Sequence, residues 1–430
     1  MNLTEYPRLA EQLYRCELSN GLQVMVVPRP GFQRKIAYFV TDFGSLDRHF
    51  RWKGQEWTVP QGIAHYLEHQ MFHLPDKDPS AEFTALGAGV NAFTSYEKTG
   101  YYFTCTDNFD ACLKLLLEMV STPWFSEESV EKERGIIDQE IGMYADNPES
   151  QNYAHMLEVL YPGTEIANPV LGTRETIRQI TPELLKLCHE AFYSPANMHL
   201  CVIGDVDPER VARIALDCLG SELRPIAEKF PQPLSEMTCP AALQENHMQV
   251  AVPNFYIGFK AEPAGRGESS MREEVIGDLA AEAVFGESSK LYLELYEKGI
   301  IDSSLGGGYE TYGNYAFVSC SGDSEEPERV RSAILEWAAK LAEQGIEEEE
   351  FNRTLRSFLG RRLRGLDNFD SFCYSICSYY LRGVDYLRFP EIYESIRAED
   401  VRELIARVFR PERCTMTVVY PNEKESSANE

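Results

Sequence analysis

The chain has 430 residues, with 41 basic against 68 acidic side chains, a net charge of −27, and hydrophobic and charged fractions of 43% and 25%. That acid excess repels phosphates and excludes a nucleic-acid binder, while leaving basic peptides as compatible ligands. The composition is that of a soluble globular protein with ample length for two to three domains, and its apolar runs are far too short to span a bilayer.

The opening stretch, MNLTEYPRLAEQLYRCELSNG, has neither a secretion-signal core nor a basic transit character, so a cytoplasmic location is expected. The first segment that carries chemistry is GIAHYLEHQMF, residues 62–72. His65 and His69, four apart on a helix, project from one face a turn apart, which is the geometry a single metal ion needs. Glu68 borders the same face. Its neighbours are apolar nearly all round, so the helix is expected to be buried, where two imidazoles and a carboxylate are costly without a partner. The order H-x-x-E-H is the inverted zinc-peptidase motif.

The next stretch, VNAFTSYEKTGYYFTCT over residues 90–106, is rich in aromatic and β-branched residues and reads as a strand or tight hairpin. Residues 126–144 then show helical periodicity, with Val130, Ile136, Ile137, Ile141 and Tyr144 on one stripe and Glu131, Arg134, Asp138 and Gln139 turned to water. Glu133 and Glu140, seven apart, fall inside the apolar stripe, where a carboxylate calls for a cation or a strong hydrogen-bond partner. With the histidine pair they suggest a His2Glu site with a fourth position left for water, the arrangement of a catalytic zinc. Glu140 is the expected third ligand, and Glu133, two turns earlier, is placed to orient His65 or His69. One zinc ion per chain is expected; it would acidify its water, with Glu68 taking the proton as general base and passing it to the leaving amine.

Residues 221–245 carry Pro225, Pro231, Pro233 and Pro240 and read as a linker. On either side the chain repeats itself. ITPELLKLCHEAFYSPANMHLCVIG, residues 180–204, echoes IRAEDVRELIARVFRPERCTMTVVY, residues 396–420, as helix, proline turn and strand. FTCTDNFDACLKLLLEMVSTPWFSEESVEKE likewise parallels FVSCSGDSEEPERVRSAILEWAAKLAEQGIEEEE. Strands and helices mix without strict alternation, so the expected fold class is α+β, in two homologous domains. The expected divisions are an N-terminal metal-binding domain over residues 1–225, a linker over 226–245, a C-terminal domain without metal over 246–421, and a disordered tail over 422–430. The second half has His247 as its single histidine, and its segment facing the zinc motif reads GDLAAEAVFG. The 11 cysteines are scattered, and only Cys373 and Cys377 lie close, four apart, so buried thiols are expected instead of disulfides or ligands. The Gly306-Gly307-Gly308 run is followed by strand-like residues and is no phosphate loop.

The motifs GIAHYLEHQMF, GVNAFTSYEKTGYYF and EKERGIIDQEI, in that order, resemble the pitrilysin/insulysin family of inverted-zincin metallopeptidases, in its shorter bacterial form related to mitochondrial processing peptidase. The resemblance runs from about Leu18 to Pro421. It implies two mixed α/β-roll domains forming a clamshell around a chamber that admits unfolded peptides. It implies zinc on His65, His69 and Glu140, Glu68 as the base, and Glu133 in support. It also implies that Asn91, Ala92, Phe93 and Thr94 form a sheet edge which substrate joins as an added strand.

The chain departs from the family at one place. Self-sufficient members carry an Arg and, seven residues on, a Tyr in the second half, where they hold substrate and stabilise the oxyanion. The matching stretch here is LYLELYEKGIIDSSLGGGY, with Tyr296 at the Arg position and Asp302 or Ser303 at the Tyr position, and no arginine lies between Arg272 and Arg329. Tyr309 and Tyr312 are candidates for partial replacement. The expectation is a homologous partner subunit with a degenerate zinc motif that supplies the pair, with a homodimer as the fallback. A structural or peptide-holding subunit without catalysis is the alternative from another class.

Overall fold

A computed structural model of the chain describes residues 1–233 and 235–422. The tail expected to be disordered lies, beyond Asn422, outside the described residues.

Two large sheets organise the chain, beside a small one of His49–Trp52, Gln55–Thr58 and Glu228–Lys229. The first has seven strands in the order Asn2–Tyr6, Glu11–Glu17, Gln23–Pro28, Met198–Gly204, Lys35–Thr41, Thr99–Cys105 and Gly89–Thr94. The second has five, in the order Leu243–Met248, Cys414–Pro421, Asn254–Ala261, Tyr315–Asp323 and Gly306–Tyr312. The last five strands of the first sheet and the five of the second follow one plan, a parallel pair followed by antiparallel neighbours. The sequence repeat has its counterpart in this plan. Pro182–Phe192 and Ala398–Val408 are helices, each followed by a proline-led 3-10 turn and then a central strand.

The apolar runs of the central strands are continuous because both faces are buried. Val24, Val26, Ala37, Phe39, Leu200 and Val202 point into a core shared with the helices of the first half. The alternate residues Met25, Val27, Ile36, Tyr38, Cys201 and Ile203 point into a core built largely by the second half. The halves exchange helices: Phe369–Leu381 from the second half packs on strands Lys35–Thr41 and Met198–Gly204, and Pro148–Leu160 from the first packs on Asn254–Ala261 and Cys414–Pro421. Polar bonds fasten the exchange. Asn152 Nδ2 donates to Asn254 O at 2.8 Å, and Tyr161 OH donates to Ala316 O at 2.6 Å.

The proline-rich stretch between the halves is tied down. Glu228 and Lys229 pair with Arg51 and Phe50, and the Lys229 ammonium sits 2.9 Å from both Asp42 and Asp47. Strand Leu243–Met248 already belongs to the second sheet. All 11 cysteines are free thiols, most of them buried. Among the described residues no helix is long and apolar enough to cross a membrane.

Candidate metal centre

The histidine helix, Ile63–Gln70, starts at Gly62, whose φ of 86° and whose approach to Leu171 O, 2.4 Å from any added Cβ, both require glycine. Every residue of this helix except His69 is buried. A second helix, Glu127–Ala145, begins with a capping box between Ser126 and Ser129. The two helices are clamped at that end: Gln70 Nε2 donates to Ser129 O at 3.1 Å, Ser129 Oγ donates to Gln70 Oε1 at 3.1 Å, and Tyr66 OH donates to Val130 O.

This clamp aims Glu133 and Glu140 at the histidines. Glu140 Oε2 lies 3.6 Å from His65 Nε2 and 3.6 Å from His69 Nε2. The three donor atoms that could serve one ion lie within 4.8 Å of one another. Ligand bonds of about 2.0–2.1 Å in a tetrahedron put donor atoms roughly 3.3 Å apart, so the set is of the right size. At 3.6 Å the groups are beyond hydrogen-bond reach and converge on a common point without bonding each other. Two imidazoles and one carboxylate are the donor types of a catalytic zinc, and the residues present fit that ion.

The electrostatics agree. Burial, with His69 adding to it, pushes the His65 pKa down to about 3, so His65 is neutral and able to ligate. For His69, burial acts downward, but the Glu133 hydrogen bond and the nearby carboxylates outweigh it and leave the pKa raised. Glu133 is buried and takes two imidazoles, His69 Nδ1 at 3.1 Å on Oε2 and His73 Nε2 at 2.9 Å on Oε1. Burial works against its charge, yet the two hydrogen bonds prevail and hold it at about 2. A carboxylate only accepts, so Nδ1 of His69 carries a proton, and Nε2 is the nitrogen that would bind an ion, giving up any proton of its own.

Glu68 faces the same space. It is buried, and Thr94 Oγ1 donates to its Oε2 at 2.6 Å. Burial raises its pKa, with Thr94 and His69 opposing and Glu140 adding to the rise. A carboxyl shifted upward, held by one hydroxyl and beside a metal locus, has the surroundings of a proton-transfer group.

Gly89–Thr94 is an edge strand that pairs on one side only, with Thr99–Cys105. Its four expected substrate residues share one cleft and differ in their other contacts. All four line the cleft, and the Ala92 N–H is taken up by Asn91 Oδ1 at 2.9 Å. Phe93 packs on Tyr38 and Tyr374, into the body of the protein, and Gly100 leaves room for its ring. Thr94 holds Glu68. A cavity of about 800 Å³ runs along this strand past His65, Glu140, Tyr144 and Tyr153 to Tyr312. A second cavity of about 580 Å³ lies on the other side of His69, between His73, Lys77 and Lys132.

Not every inward assignment on the second helix holds. Val130 and Ile137 are buried, but Ile136 and Tyr144 are 44% and 49% exposed, because only part of the apolar stripe is covered by the histidine helix. In the second half, Tyr309 packs against Gly277 away from the cleft, whereas Tyr312 lines it with its hydroxyl on Glu310 at 3.0 Å. Tyr296 is exposed on another helix. Two contacts escaped the sequence reading. The Thr94–Glu68 bond joins a strand to a helix and has no spacing signature. His73 lies beyond the end of the histidine helix, outside its periodicity, and its one available sign was a third histidine four residues after His69.

Two family signatures match the chain: Insulinase (Peptidase family M16) over residues 55–174, and the Peptidase M16 inactive domain over residues 179–358. An uncharacterized zinc protease of Bacillus subtilis, YmfH, is 34% identical over 97% of this chain and 98% of its own. The crystal structure of an M16-like peptidase from Alicyclobacillus acidocaldarius superposes with a TM-score of 0.92 at 30% identity, covering 96% of this chain and 99% of the other. Pitrilysin shares the fold, with a TM-score of 0.76 at 19% identity over 98% of this chain and 46% of that one.

Proposed function

This chain belongs to the insulinase family of M16 peptidases, with that family's two-domain α/β clamshell architecture, and on that premise we propose that it is the zinc-bearing subunit of an endopeptidase acting on unfolded peptides. The observation that carries this reading is the convergence of His65, His69 and Glu140 on one point beside a buried Glu68. Zinc, when held by those three side chains, supplies Lewis acidity at the scissile carbonyl and an acidified water.

The chain's own residues supply the rest. Glu68 takes the proton of the attacking water and delivers it to the leaving amine, with Thr94 fixing which carboxylate oxygen is engaged. Glu133 sets the tautomer and plane of His69. Substrate backbone adds to the free edge of Gly89–Thr94, where its carbonyl replaces Asn91 Oδ1 on the Ala92 N–H. Such pairing reads extended backbone with little demand on sequence, which favours unfolded chains.

A homologous partner subunit supplies the Arg and Tyr missing from the second half; a second copy of this chain is the fallback. The working division of the chain is a catalytic domain over 1–225, a connecting segment over 226–245 and a non-metal domain over 246–421.

Purified chain, alone and mixed with a homologous subunit that carries the Arg–Tyr pair, is incubated with an unfolded peptide and assayed for zinc. The reading predicts one zinc per chain, cleavage that rises steeply with the partner, and loss of cleavage in Glu68→Gln with zinc retained. Cleavage at full rate by the isolated chain would remove the partner requirement. Zinc without cleavage in any mixture would make this a peptide-holding subunit.

A further inference from the structure

We propose that His73 is a positioning residue of the metal centre, acting through the Glu133 carboxylate to hold His69 in its ligating orientation. This rests on the zinc reading above and extends it by one shell.

The geometry is built by the chain just past the histidine helix. The Phe72 N–H donates to His69 O at 3.2 Å and the His73 N–H to Gln70 O at 3.1 Å, so the chain curls tightly after Gln70. That curl returns the His73 ring to the second helix, where Nε2 meets Glu133 Oε1 at 2.9 Å. The other oxygen, Oε2, takes His69 Nδ1 at 3.1 Å. Glu133 is 6% exposed, so water has little access to replace a lost donor.

A carboxylate gripped at one oxygen can still swing about its terminal torsion, which is soft. Gripped at both, it is fixed in plane, and the plane decides where the His69 ring points. The backbone of Glu133 is already fixed by the Gln70–Ser129 and Tyr66–Val130 bonds. His73 therefore fixes the carboxylate plane that the His69 ring meets. His73 lines the smaller cavity together with His69 and Glu133 and, unlike His69, does not line the main cleft.

The test compares His73→Phe, which keeps a ring and loses the donor, with His73→Gln, which keeps an N–H for Glu133. Zinc affinity is measured by chelator competition, and ligand geometry by the visible spectrum of the cobalt-substituted chain. Loss of an outer-shell partner typically weakens metal binding by about 10–100-fold. For His73→Phe we expect the lower end, about tenfold, with a shifted cobalt spectrum, and for His73→Gln recovery of most of both. On a Glu133→Ala background, His73→Phe should have no further effect, because the two act through one path. Wild-type affinity and spectrum in His73→Phe would overturn the proposal, as would an equal loss in His73→Gln. A wild-type chain that binds no zinc would overturn the metal reading as well, and so separates the two failures.

Discussion

Five strands of the first large sheet repeat the plan of the second, and each sheet presents a free edge strand beside a helix, yet the chemistry placed there differs. Beside Gly89–Thr94 the first half sets His65, Glu68 and His69, facing Glu133 and Glu140 on a second helix. Beside Gly306–Tyr312 the second half sets Asp278 and Glu282, facing Arg353 and Arg361 on a second helix. The scaffold is shared and the donors differ: the second groove offers no imidazole, and Asp278 Oδ1 accepts from the Tyr309 N–H at 3.2 Å. Strand order supplies a place for a site, while the site's chemistry rests on a few side chains.

The largest effect is expected from the first half's ligands. His65→Ala should lower zinc affinity by more than the roughly 100-fold that marks loss of an outer-shell group, whereas Arg361→Ala in the second half should leave it unchanged. Equilibrium dialysis against zinc decides between them, and equal losses would erase the distinction between the halves.

Next comes the base. Glu68→Gln should reduce peptide hydrolysis by roughly 10²–10⁴-fold with zinc still bound. Retained turnover would move the proton transfer to another group.

A smaller loss is expected on Thr94→Val, about tenfold in kcat, in line with a hydrogen bond to a charged group. The sign of its pH effect follows from the structure. The Thr94 bond lowers the Glu68 pKa, so its removal should raise that pKa further and carry the acid limb of the pH–rate profile upward. An unshifted limb would mean that Thr94 does not touch the working base.

The smallest effect concerns stability in the second half. Burial, with repulsion from Glu274 next, pushes Asp278 up to about 7, against about 3.9 for an unfolded chain. Between those values the folded chain binds the proton more tightly, so stability present below about pH 4 is lost as pH rises through 7. Asp278→Asn keeps an acceptor for the Tyr309 N–H and removes that loss. Its denaturation midpoint should gain on wild type at pH 8 compared with pH 5, with zinc content unaltered.

Much of this arrangement was legible in the residues, for a physical reason. His65 and His69 are linked by helical spacing, and Glu133 and Glu140 by two turns of one helix, so each pair announces itself within one element. The repeated helix–turn–strand pattern foretold the shared sheet plan because the same local signals occur twice. Contacts between elements were less readable. Thr94 holds Glu68 across a strand–helix gap, and His73 reaches Glu133 only after the chain has left its helix. Periodicity turns Ile136 and Tyr144 inward, yet both are nearly half exposed, since periodicity marks a face and not what covers it. The prolines mark a linker, but the Lys229–Asp42–Asp47 cluster that ties it down has no local pattern at all.

The most direct measurement is zinc K-edge anomalous diffraction from crystals of the zinc-loaded chain. The account predicts one anomalous peak per chain, bonded to His65 Nε2, His69 Nε2 and a Glu140 oxygen, with none beside Asp278. A peak elsewhere, or none at the three-residue convergence under saturating zinc, would contradict it.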